Sequence, residues 1–542
     1  MKTRALIACL VVTCATIMST PAQILHTWMS PIPENLGQFG LSVSGAGDAN
    51  IDGYADLVVG ACYEDGGASD AGRAYIFDGQ TGITLHTLLS PNAEIDGYFG
   101  CSVSDAGDVN NDGYDDVIVG ADDEDGVAVN AGRAYVFSGQ TGAPIRTFTS
   151  PNAQIAGHFG ISVSGAGDVD GDDFDDVVVG AHDEDGGDTH SGRVYIFSGQ
   201  LGVPHQTLLS PNPESYGHFG ISVSAAGDVN SDGFGDVIVG ACYEDTTFQD
   251  AGRAYVFNGE TGDLLYTLLS PNPDLYGYFG YSVSGAGDVN IDGFDDVIVG
   301  AHYRDGGAPY TGRAYVFSGQ TGGLLYTLVS PNPQASGFFG YSVSGAGDVD
   351  GDGYADVIVG AYNESGGATF SGRAYVFSGK TGSVLYHLVS PNPEYWGAFG
   401  FSVSGAGDVN NDGYTNVIVG ALNEDVELTD DGRTYVFTIP PPIVLLPGVI
   451  DGQLVLQWPA FEDAASYWVY GAENDSYFEP GLTSPWMHRQ AEVIPPATTW
   501  TSPNGVGEPY HDWTYLVVAV NPWEQELLRS NRAGEFDFSS IP

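Results

Sequence analysis

The sequence predicts an all-β protein: a seven-bladed β-propeller followed by a small β-sandwich. Phe-Gly recurs at a fixed period of 60 residues, from Phe39 to Phe399, without an insertion. Each repeat contains four β-rich runs, which Gly, Asn, Asp and Pro clusters separate, and no run has a helical period. Four short strands per repeat are typical of a propeller blade. The period is longer than the roughly 40–45 residues of WD40 repeats and the roughly 50 of kelch repeats, so neither type fits.

The fifth repeat illustrates the predicted strands, which cover residues 264–270, 279–284, 296–301 and 313–318. The last repeat breaks at Pro440 to Pro442 and lacks its fourth strand. The segment 24–31 (ILHTWMSP) aligns without a gap on 264–271 (LLYTLLSP). We therefore predict that this N-terminal strand completes the seventh blade and covers an edge that would otherwise be exposed.

The two ends of the chain predict further segments. Lys2, Arg4, an apolar run and a small-residue site ending at Ala22 predict a signal peptide over residues 1–22, and therefore a secreted or cell-envelope protein. A lipobox-like stretch ending at Cys9 is the alternative, but the apolar run before it is short. The propeller is predicted over 23–438, a Pro-rich linker over 439–448, and a sandwich over 449–542. We expect no transmembrane segment.

The charge of the chain points to cations. Seventy acidic residues face only 15 basic ones, which gives a formal net charge of −55. Nucleic acid and anionic membrane surfaces carry the same sign and are excluded as partners. So much negative charge also opposes a compact state, and bound cations would relieve that repulsion.

An oxygen-rich turn separates the first two strands of every repeat. Side chains at its positions 1, 3, 5 and 9 and the backbone carbonyl at position 7 can surround a calcium ion, and Gly at position 6 permits a sharp reversal. Magnesium fits less well because it retains more water. The predicted ligands, loop by loop, are Asp48, Asn50, Asp52, Tyr54, Asp56; Asp108, Asn110, Asp112, Tyr114, Asp116; Asp168, Asp170, Asp172, Phe174, Asp176; Asp228, Asn230, Asp232, Phe234, Asp236; Asp288, Asn290, Asp292, Phe294, Asp296; Asp348, Asp350, Asp352, Tyr354, Asp356; and Asp408, Asn410, Asp412, Tyr414, Asn416.

These loops predict six to seven bound Ca²⁺. The seventh has Asn416 where the others have aspartate, and we expect it to be the weakest; the third has Asp173 in place of the turn glycine. Position 12 is an apolar strand residue such as Val59, whereas EF-hands carry an acidic ligand there, so an EF-hand is excluded. The competing interpretation is that Asp and Asn simply favour turns, which seven copies at fixed spacing disfavour.

The unit FG-x-SVSGAGDVN-x-DG-x-x-DVIVGA resembles the FG-GAP repeat of integrin α-subunit propellers and their bacterial relatives. The resemblance covers residues 24 to about 438. It implies a seven-bladed propeller with calcium between strands one and two, and a role in adhesion or ligand recognition. It does not extend to an integrin ligand site. The residues after the linker resemble a fibronectin type III-like domain.

Other recurring residues have structural interpretations. An arginine holds one position in all seven repeats, from Arg73 to Arg433, and an ion pair with a nearby acidic residue is expected. Cys62, Cys101 and Cys242 are expected to be unpaired, buried, small apolar residues. The eleven histidines are scattered and show no metalloprotease spacing.

The loops between strands two and three, and from strand four to the next repeat, vary most. Because strands alternate in direction, both loop sets are predicted on the face opposite the calcium loops. Aromatic side chains there suit an extracellular protein or carbohydrate partner, although they could equally fill spaces between blades. The aromatic and histidine candidates are Tyr216, His218, Tyr276, Tyr278, Phe338, Tyr395 and Trp396.

The sequence therefore predicts a non-enzymatic recognition or adhesion protein. The alternatives are a purely structural secreted component and a glycan-active enzyme. The sequence does not determine the ligand or the oligomeric state.

Overall fold

A computed structural model describes residues 22–439, apart from 305–308 and 426–427, and beyond these the backbone of eight strands. Ala22–Ile439 form one compact unit, and Pro440–Pro542 fall in another. The described residues contain strands and turns but no helix, and so no helix among them is long and apolar enough to cross a bilayer. The predicted signal peptide lies outside the described residues, except Ala22.

Twenty-eight strands of the first unit form seven four-stranded antiparallel sheets. The first strand is β1 (Gln23–Met29). The first three complete blades contain β2 (Ser42–Gly45), β3 (Leu57–Ala61), β4 (Arg73–Phe77), β5 (Thr84–Leu88); β6 (Ser102–Gly107), β7 (Asp116–Ala121), β8 (Arg133–Phe137), β9 (Pro144–Phe148); and β10 (Phe159–Gly167), β11 (Asp176–Ala181), β12 (Arg193–Phe197), β13 (Pro204–Leu208).

The remaining blades follow the same plan. Their strands are β14 (Ser222–Gly227), β15 (Asp236–Ala241), β16 (Arg253–Phe257), β17 (Leu264–Leu268); β18 (Val283–Gly287), β19 (Asp296–Ala301), β20 (Arg313–Phe317), β21 (Leu324–Leu328); β22 (Val343–Gly347), β23 (Asp356–Ala361), β24 (Arg373–Phe377), β25 (Val384–Leu388); and β26 (Phe399–Gly407), β27 (Asn416–Ala421), β28 (Arg433–Thr438).

The N-terminal strand closes the ring, as the sequence predicts. The seventh sheet has the order β1-β28-β27-β26, and Gln23 pairs with Thr438 while Met29 pairs with Arg433. Trp28 is buried and stacks on Phe77 of the first blade, with ring centroids 4.7 Å apart. The first and last parts of the propeller chain therefore share one sheet, and that sheet packs on the first blade.

The Phe-Gly pair of each repeat joins neighbouring blades. Phe99 is fully buried, and its backbone forms a parallel bridge with Gly72 of the preceding blade. Gly100 has φ 94°, and a Cβ atom built there would lie 2.2 Å from the carbonyl oxygen of Arg73. Only glycine permits so close a backbone approach. The repeated Phe-Gly is thus explained by packing between blades.

A buried polar network also crosses six of the blade boundaries. Ser90, just after the last strand of the first blade, donates to Glu124 of the second blade and lies 3.3 Å from the hydroxyl of Tyr135. Tyr135 donates to the same glutamate, and the Arg133 guanidinium lies 3.4 Å from it. These hydrogen bonds and the ion pair offset part of the cost of burying the carboxylate, although burial still raises the pKa of Glu124 to about 7.

The repeated arginine pairs with this glutamate position in six blades, at nitrogen–oxygen distances from 3.2 to 4.0 Å. This confirms the predicted ion pair. The fifth blade differs, because Arg304 stands where the others have glutamate and pairs with Asp274. The arginine therefore has a structural role in these blades.

The expectation of unpaired cysteines is wrong for two of the three. Cys62 and Cys101 form a disulfide between the first and second blades, with Cα atoms 4.9 Å apart. The two positions are not equivalent in the repeat, but they face each other across a blade boundary. His302 and Tyr341 occupy the same pair of positions further round the ring, with ring centroids 5.2 Å apart. Cys242 is free and buried, as expected.

Beyond Ile439 the structure describes eight strands in two sheets. A three-stranded sheet has the order β29-β30-β33, and a second sheet has the order β32-β31-β34-β35, with β36 also paired to β34. The bounds are β29 (Leu446–Ile450), β30 (Gln453–Gln457), β31 (Ser466–Glu473), β32 (Met487–Val493), β33 (Thr499–Thr501), β34 (Trp513–Val520), β35 (Glu526–Arg529) and β36 (Ala533–Phe536).

Ring closure predicts the effect of substitutions at Trp28. Trp28→Ala should lower the free energy of unfolding by about 3–5 kcal/mol, because a large buried aromatic side chain is lost. Trp28→Leu is the matched control, since leucine holds the equivalent position in five other blades, and it should cost roughly half as much. Urea denaturation followed by circular dichroism measures both. Equal stability of the wild type and Trp28→Ala would contradict the closure.

Candidate functional site

Each oxygen-rich turn between the first and second strands of a blade, here called an Asp loop, is held by its own carboxylates. In the first, Asp48 accepts hydrogen bonds from the backbone amides of Asp52 at 3.0 Å and Gly53 at 2.9 Å. Asp52 in turn accepts from the amide of Tyr54 at 3.0 Å. The bonds made by positions 1 and 5 recur in all seven loops. The aspartates therefore fix the turn as well as supplying oxygens.

The aspartate at position 9 anchors the loop to the rest of its blade. Asp56 is fully buried and accepts a hydrogen bond from the amide of Gly79, in the turn between strands three and four. Five further loops repeat this contact. The Asp loops and the turns between strands three and four consequently share one face of the propeller.

Several buried oxygens in these loops have no hydrogen-bond partner among the described residues. In the first loop they are Oδ1 of Asn50 and Oδ2 of Asp56. The side-chain oxygen at position 3 also lacks a partner in three more loops, on Asp170, Asn290 and Asn410. A buried polar atom without a partner is costly. A hard cation bound between these oxygens would satisfy them.

The spacing of the carboxylates suits such an ion. One oxygen each from Asp168, Asp170 and Asp176 lie within 4.8 Å of one another, and the corresponding oxygens of the sixth loop, on Asp348, Asp350 and Asp356, do the same. Calcium–oxygen bonds of about 2.3–2.6 Å place ligands on opposite sides of the ion up to about 5 Å apart. The side chains at positions 1, 3 and 9 of these loops therefore fit calcium. Coordination by the position-7 carbonyls remains a prediction.

Burial raises the pKa of the position-9 carboxyls, and neighbouring carboxylates add to the effect. The pKa reaches about 7 for Asp56, Asp116, Asp176, Asp236 and Asp296, and about 8 for Asp356. An ionised carboxylate at these positions is therefore destabilising unless a cation compensates for its charge.

The third and seventh loops depart from the pattern in different ways. Asp173 takes the place of the turn glycine and has φ 68°, within the left-handed region that Asp tolerates better than most residues. In the seventh loop, Oδ1 of Asn416 accepts from the amide of Val409, whereas the buried Nδ2 has no partner. A nitrogen donor thus stands where the other loops have a second carboxylate oxygen, which disfavours a cation.

The opposite face, here called the loop face, is formed by the two variable loop sets. The amide of Tyr98 donates to the carbonyl of Asp70 at 3.2 Å, and the amide of Phe99 donates to that of Ala71 at 3.1 Å. These bonds join the loop between strands two and three of one blade to the loop that leads into the next blade. The two loop sets therefore lie side by side on one face, as the alternation of strand direction predicts.

Aromatic rings form a continuous arc on this face across the fourth to sixth blades. The arc consists of Tyr243, Tyr278, Tyr303, Phe338 and Tyr362, with successive ring centroids 5.0 to 5.6 Å apart. All five rings are half-buried, so the arc both fills the blade boundaries and presents ring surface.

Four of the predicted candidates are more exposed than the arc. Tyr395 is 67% exposed and Trp396 45%, and the two rings pack edge to face. Tyr216 and Tyr276 are also exposed, whereas His218, Tyr278 and Phe338 are half-buried. Both interpretations offered for the aromatic residues, surface display and filling between blades, therefore apply to different members of the set.

A histidine cluster on the loop face was not anticipated from the sequence. The carboxylate oxygens of Asp183 lie within 3.2 to 3.7 Å of nitrogens from four imidazoles, those of His158, His182, His190 and His218. His158 lies in the loop that leads into the third blade, His182 and His190 lie in the third blade, and His218 lies in the loop that leads into the fourth blade. The four histidines are far apart in the sequence, so the sequence does not show that they lie close together. The only signal in the sequence is that histidines replace the usual repeat residues in neighbouring blades.

Comparison with known proteins identifies the class of propeller. The model of the FG-GAP repeat matches seven segments, 39–77, 102–137, 159–197, 219–257, 279–317, 339–377 and 399–437. Each segment begins at or just after the Phe-Gly pair and contains one Asp loop. The first unit is therefore an integrin-like FG-GAP β-propeller.

Integrin α subunits are among its relatives. The chain is 34% identical to integrin alpha-5 of Xenopus laevis over 248 residues, which cover 43% of this chain and 23% of that protein. It is 36% identical to human integrin alpha-IIb over 247 residues, which cover 42% and 22%. The corresponding match to integrin alpha pat-2 of Caenorhabditis elegans is 30% over 282 residues, covering 45% and 22%. The chain thus spans less than a quarter of the length of these relatives.

The raised pKa values predict an unusual pH dependence for the metal-free protein. The position-9 carboxyls keep their protons to about pH 7 when folded, but only to about pH 4 when unfolded. Folding therefore takes up protons between these values, and the metal-free protein becomes less stable as the pH rises from about 4 to about 7.

Thermal unfolding in chelator at pH 5.5 and pH 7.5 measures this effect. The control is thermal unfolding at the same two pH values in millimolar calcium. The melting temperature in chelator should be higher at the lower pH, and calcium should narrow the difference by removing the cost of ionisation. A melting temperature in chelator that is higher at pH 7.5 than at pH 5.5 would contradict the inference that these carboxylates destabilise the metal-free fold when ionised.

Proposed function

We propose that this chain is a secreted, calcium-binding propeller that acts in extracellular recognition or adhesion, with its ligand bound on the loop face. The observation that carries the proposal is the division of the propeller into two chemically different faces. One carries seven rigid Asp loops, and the other carries variable loops with exposed aromatic side chains. Calcium would stabilise the first, and the second would contact the partner.

The case for calcium rests on the Asp loops. Their unpartnered oxygens, raised carboxyl pKa values and fixed turn geometry suit a hard cation with several protein oxygens as ligands. Six loops keep an aspartate at position 9, and one has Asn416, so we propose six strong sites and a seventh that is weak. The net charge of −55 gives such binding a further stabilising effect.

The case for recognition rests on the loop face and on the relatives. Exposed Tyr and Trp side chains contribute strongly to binding surfaces for proteins and carbohydrates. Tyr395 and Trp396 protrude together from the loop that leads into the seventh blade. The integrin α relatives make an adhesive role the best-supported one, with a protein or glycan as the partner.

An extracellular location is supported by the disulfide between Cys62 and Cys101, since such bonds persist mainly in oxidising compartments. The predicted signal peptide agrees with it. We further propose that the strands beyond Ile439 form a fibronectin type III-like sandwich that spaces or docks the propeller.

Two other functions remain as alternatives. A purely structural envelope protein would use calcium for rigidity and bind no dedicated ligand. A glycan-active enzyme would place catalytic carboxylates on the loop face. We favour binding over catalysis because the recurring acidic residues of the blades have evident structural roles in the Asp loops and the arginine pairs.

Metal content tests the calcium proposal. Chelated protein dialysed against millimolar calcium should bind six to seven Ca²⁺, and chelation should lower the melting temperature sharply. Asp56→Asn should remove one ion. Asn416→Asp, the matched reverse substitution, should strengthen binding at the seventh loop. Two or fewer bound ions would contradict the proposal.

A glycan and protein array, probed with the calcium-loaded chain, tests recognition. A ligand found there should lose binding to the double variant Tyr395→Ser/Trp396→Ser by at least about tenfold, because two exposed aromatic contacts are removed. Ile83→Ser is the control, since Ile83 is equally exposed but lies in a turn on the Asp-loop face. No binding above background would favour the structural alternative, and turnover of a bound glycan would favour the enzyme.

A further inference from the structure

We propose that the histidine cluster on the loop face is a second kind of metal site, which binds one transition-metal ion such as Zn²⁺ through His182, Asp183 and His218. This site is separate from the Asp loops in position and in ligand chemistry. It does not depend on the proposed recognition function.

Geometry carries the proposal. One ligand atom from each of these three residues lies within 4.8 Å of the other two. Nε2 of His182 is 3.5 Å and Nδ1 of His218 is 3.2 Å from oxygens of Asp183. Tetrahedral zinc, with bonds of about 2.0–2.1 Å, holds its ligands about 3.3 Å apart. The three side chains are therefore already near the separation that zinc requires.

The hydrogen bonding gives a second, independent indication. Nδ1 of His218 is buried and makes no hydrogen bond, although a carboxylate oxygen lies 3.2 Å away. Imidazoles gathered round a carboxylate without well-formed hydrogen bonds suit coordination of a common ion better than a network of hydrogen bonds.

The neighbouring histidines differ from these two. Nδ1 of His158 lies 2.8 Å from Asp123 and 3.7 Å from Asp122, so this imidazole also faces a second set of carboxylates. His190 contacts the backbone carbonyl of Asp183 at 3.0 Å through Nδ1.

The repeat itself does not require these residues. In the sixth blade Tyr362 holds the position of His182, and in the seventh blade Asn423 holds the position of Asp183. At the boundary before the fifth blade Tyr278 holds the position of His218. There the same space is filled by aromatic packing or amide groups. The third blade and its boundary combine two imidazoles with one carboxylate, whereas the equivalent positions of the second blade and its boundary, Asp122, Asp123 and His158, combine one imidazole with two carboxylates.

The ligand set determines the class of metal. Imidazole nitrogens select zinc, copper, nickel or iron over calcium and magnesium, which prefer oxygen. Two histidines and one carboxylate leave a fourth position open to water, since the three side chains are 13–20% exposed. The inferred site is therefore an accessible, three-ligand zinc site on the loop face.

The test is zinc binding by the full chain in millimolar calcium, which occupies the Asp loops. Isothermal titration should show one strong Zn²⁺ per chain, and the visible spectrum of a Co²⁺ complex should show four-coordinate nitrogen and oxygen ligation. His218→Tyr, which introduces the residue found at position 278, should weaken zinc binding by at least about 100-fold. Asp183→Asn, which matches Asn423, should do the same and provides a second variant if the first does not fold.

His302→Tyr is the matched control. His302 holds the repeat position of His182 in the fifth blade and is buried, but aromatic rings such as Tyr281 and Tyr303 surround it. This variant should bind zinc as the wild type does. Absence of zinc binding in the presence of calcium, or unchanged affinity in folded His218→Tyr and Asp183→Asn, would overturn the proposal.

Discussion

The contact between neighbouring blades is the interaction on which the rest of this structure depends. A four-stranded sheet of this size cannot bury both of its faces alone, and each blade does so only against the blades beside it. Phe99 and its six equivalents lie fully buried at these boundaries. The glycine after each one allows the backbones to approach, and in six blades the serine–glutamate–tyrosine network adds buried polar contacts. The seventh boundary must be made as well, which is why the N-terminal strand joins the last blade.

This arrangement also separates the two faces of the propeller. The Asp loops connect strands within one blade, and the same few hydrogen bonds, such as that from the amide of Asp48 to Asp115, link each loop to the loop of a neighbouring blade. The loop face is built from segments that belong to two blades, so its side chains meet across boundaries. Repetition therefore gives seven similar sites on one face and a varied surface on the other. The aromatic arc and the histidine cluster are both products of that variation.

Much of the propeller could be predicted from the sequence, because the repeat reports equivalent positions directly. Blade number, the four strands, the closing segment at residues 24–31 and the arginine pairs all follow from alignment of one repeat on the next. The disulfide and the histidine cluster could not be found this way. Cys62 meets Cys101, and His182 meets His218, at positions that are not equivalent in the repeat. Only the packing of one blade on another brings them together.

The Asp loops lie between these cases. Their candidate ligand positions follow from the spacing of Asp and Asn residues, and the structure adds that position 1 fixes the turn and position 9 is buried. In the seventh loop the amide nitrogen of Asn416 lies buried without a partner where the other loops have a carboxylate oxygen. Beyond Ile439 the sequence has no repeat and no cysteine to anchor a prediction, so strand positions there were the least determined by sequence.

Hydrogen–deuterium exchange of the peptide covering residues 23–30 tests closure of the ring most directly. In the closed propeller these amides pair with β28, and they should exchange as slowly as those of the fourth strands of other blades, such as β5 and β17. Exchange of the whole peptide within seconds, while β26 to β28 remain protected, would show that the seventh blade has only three strands and would contradict the account.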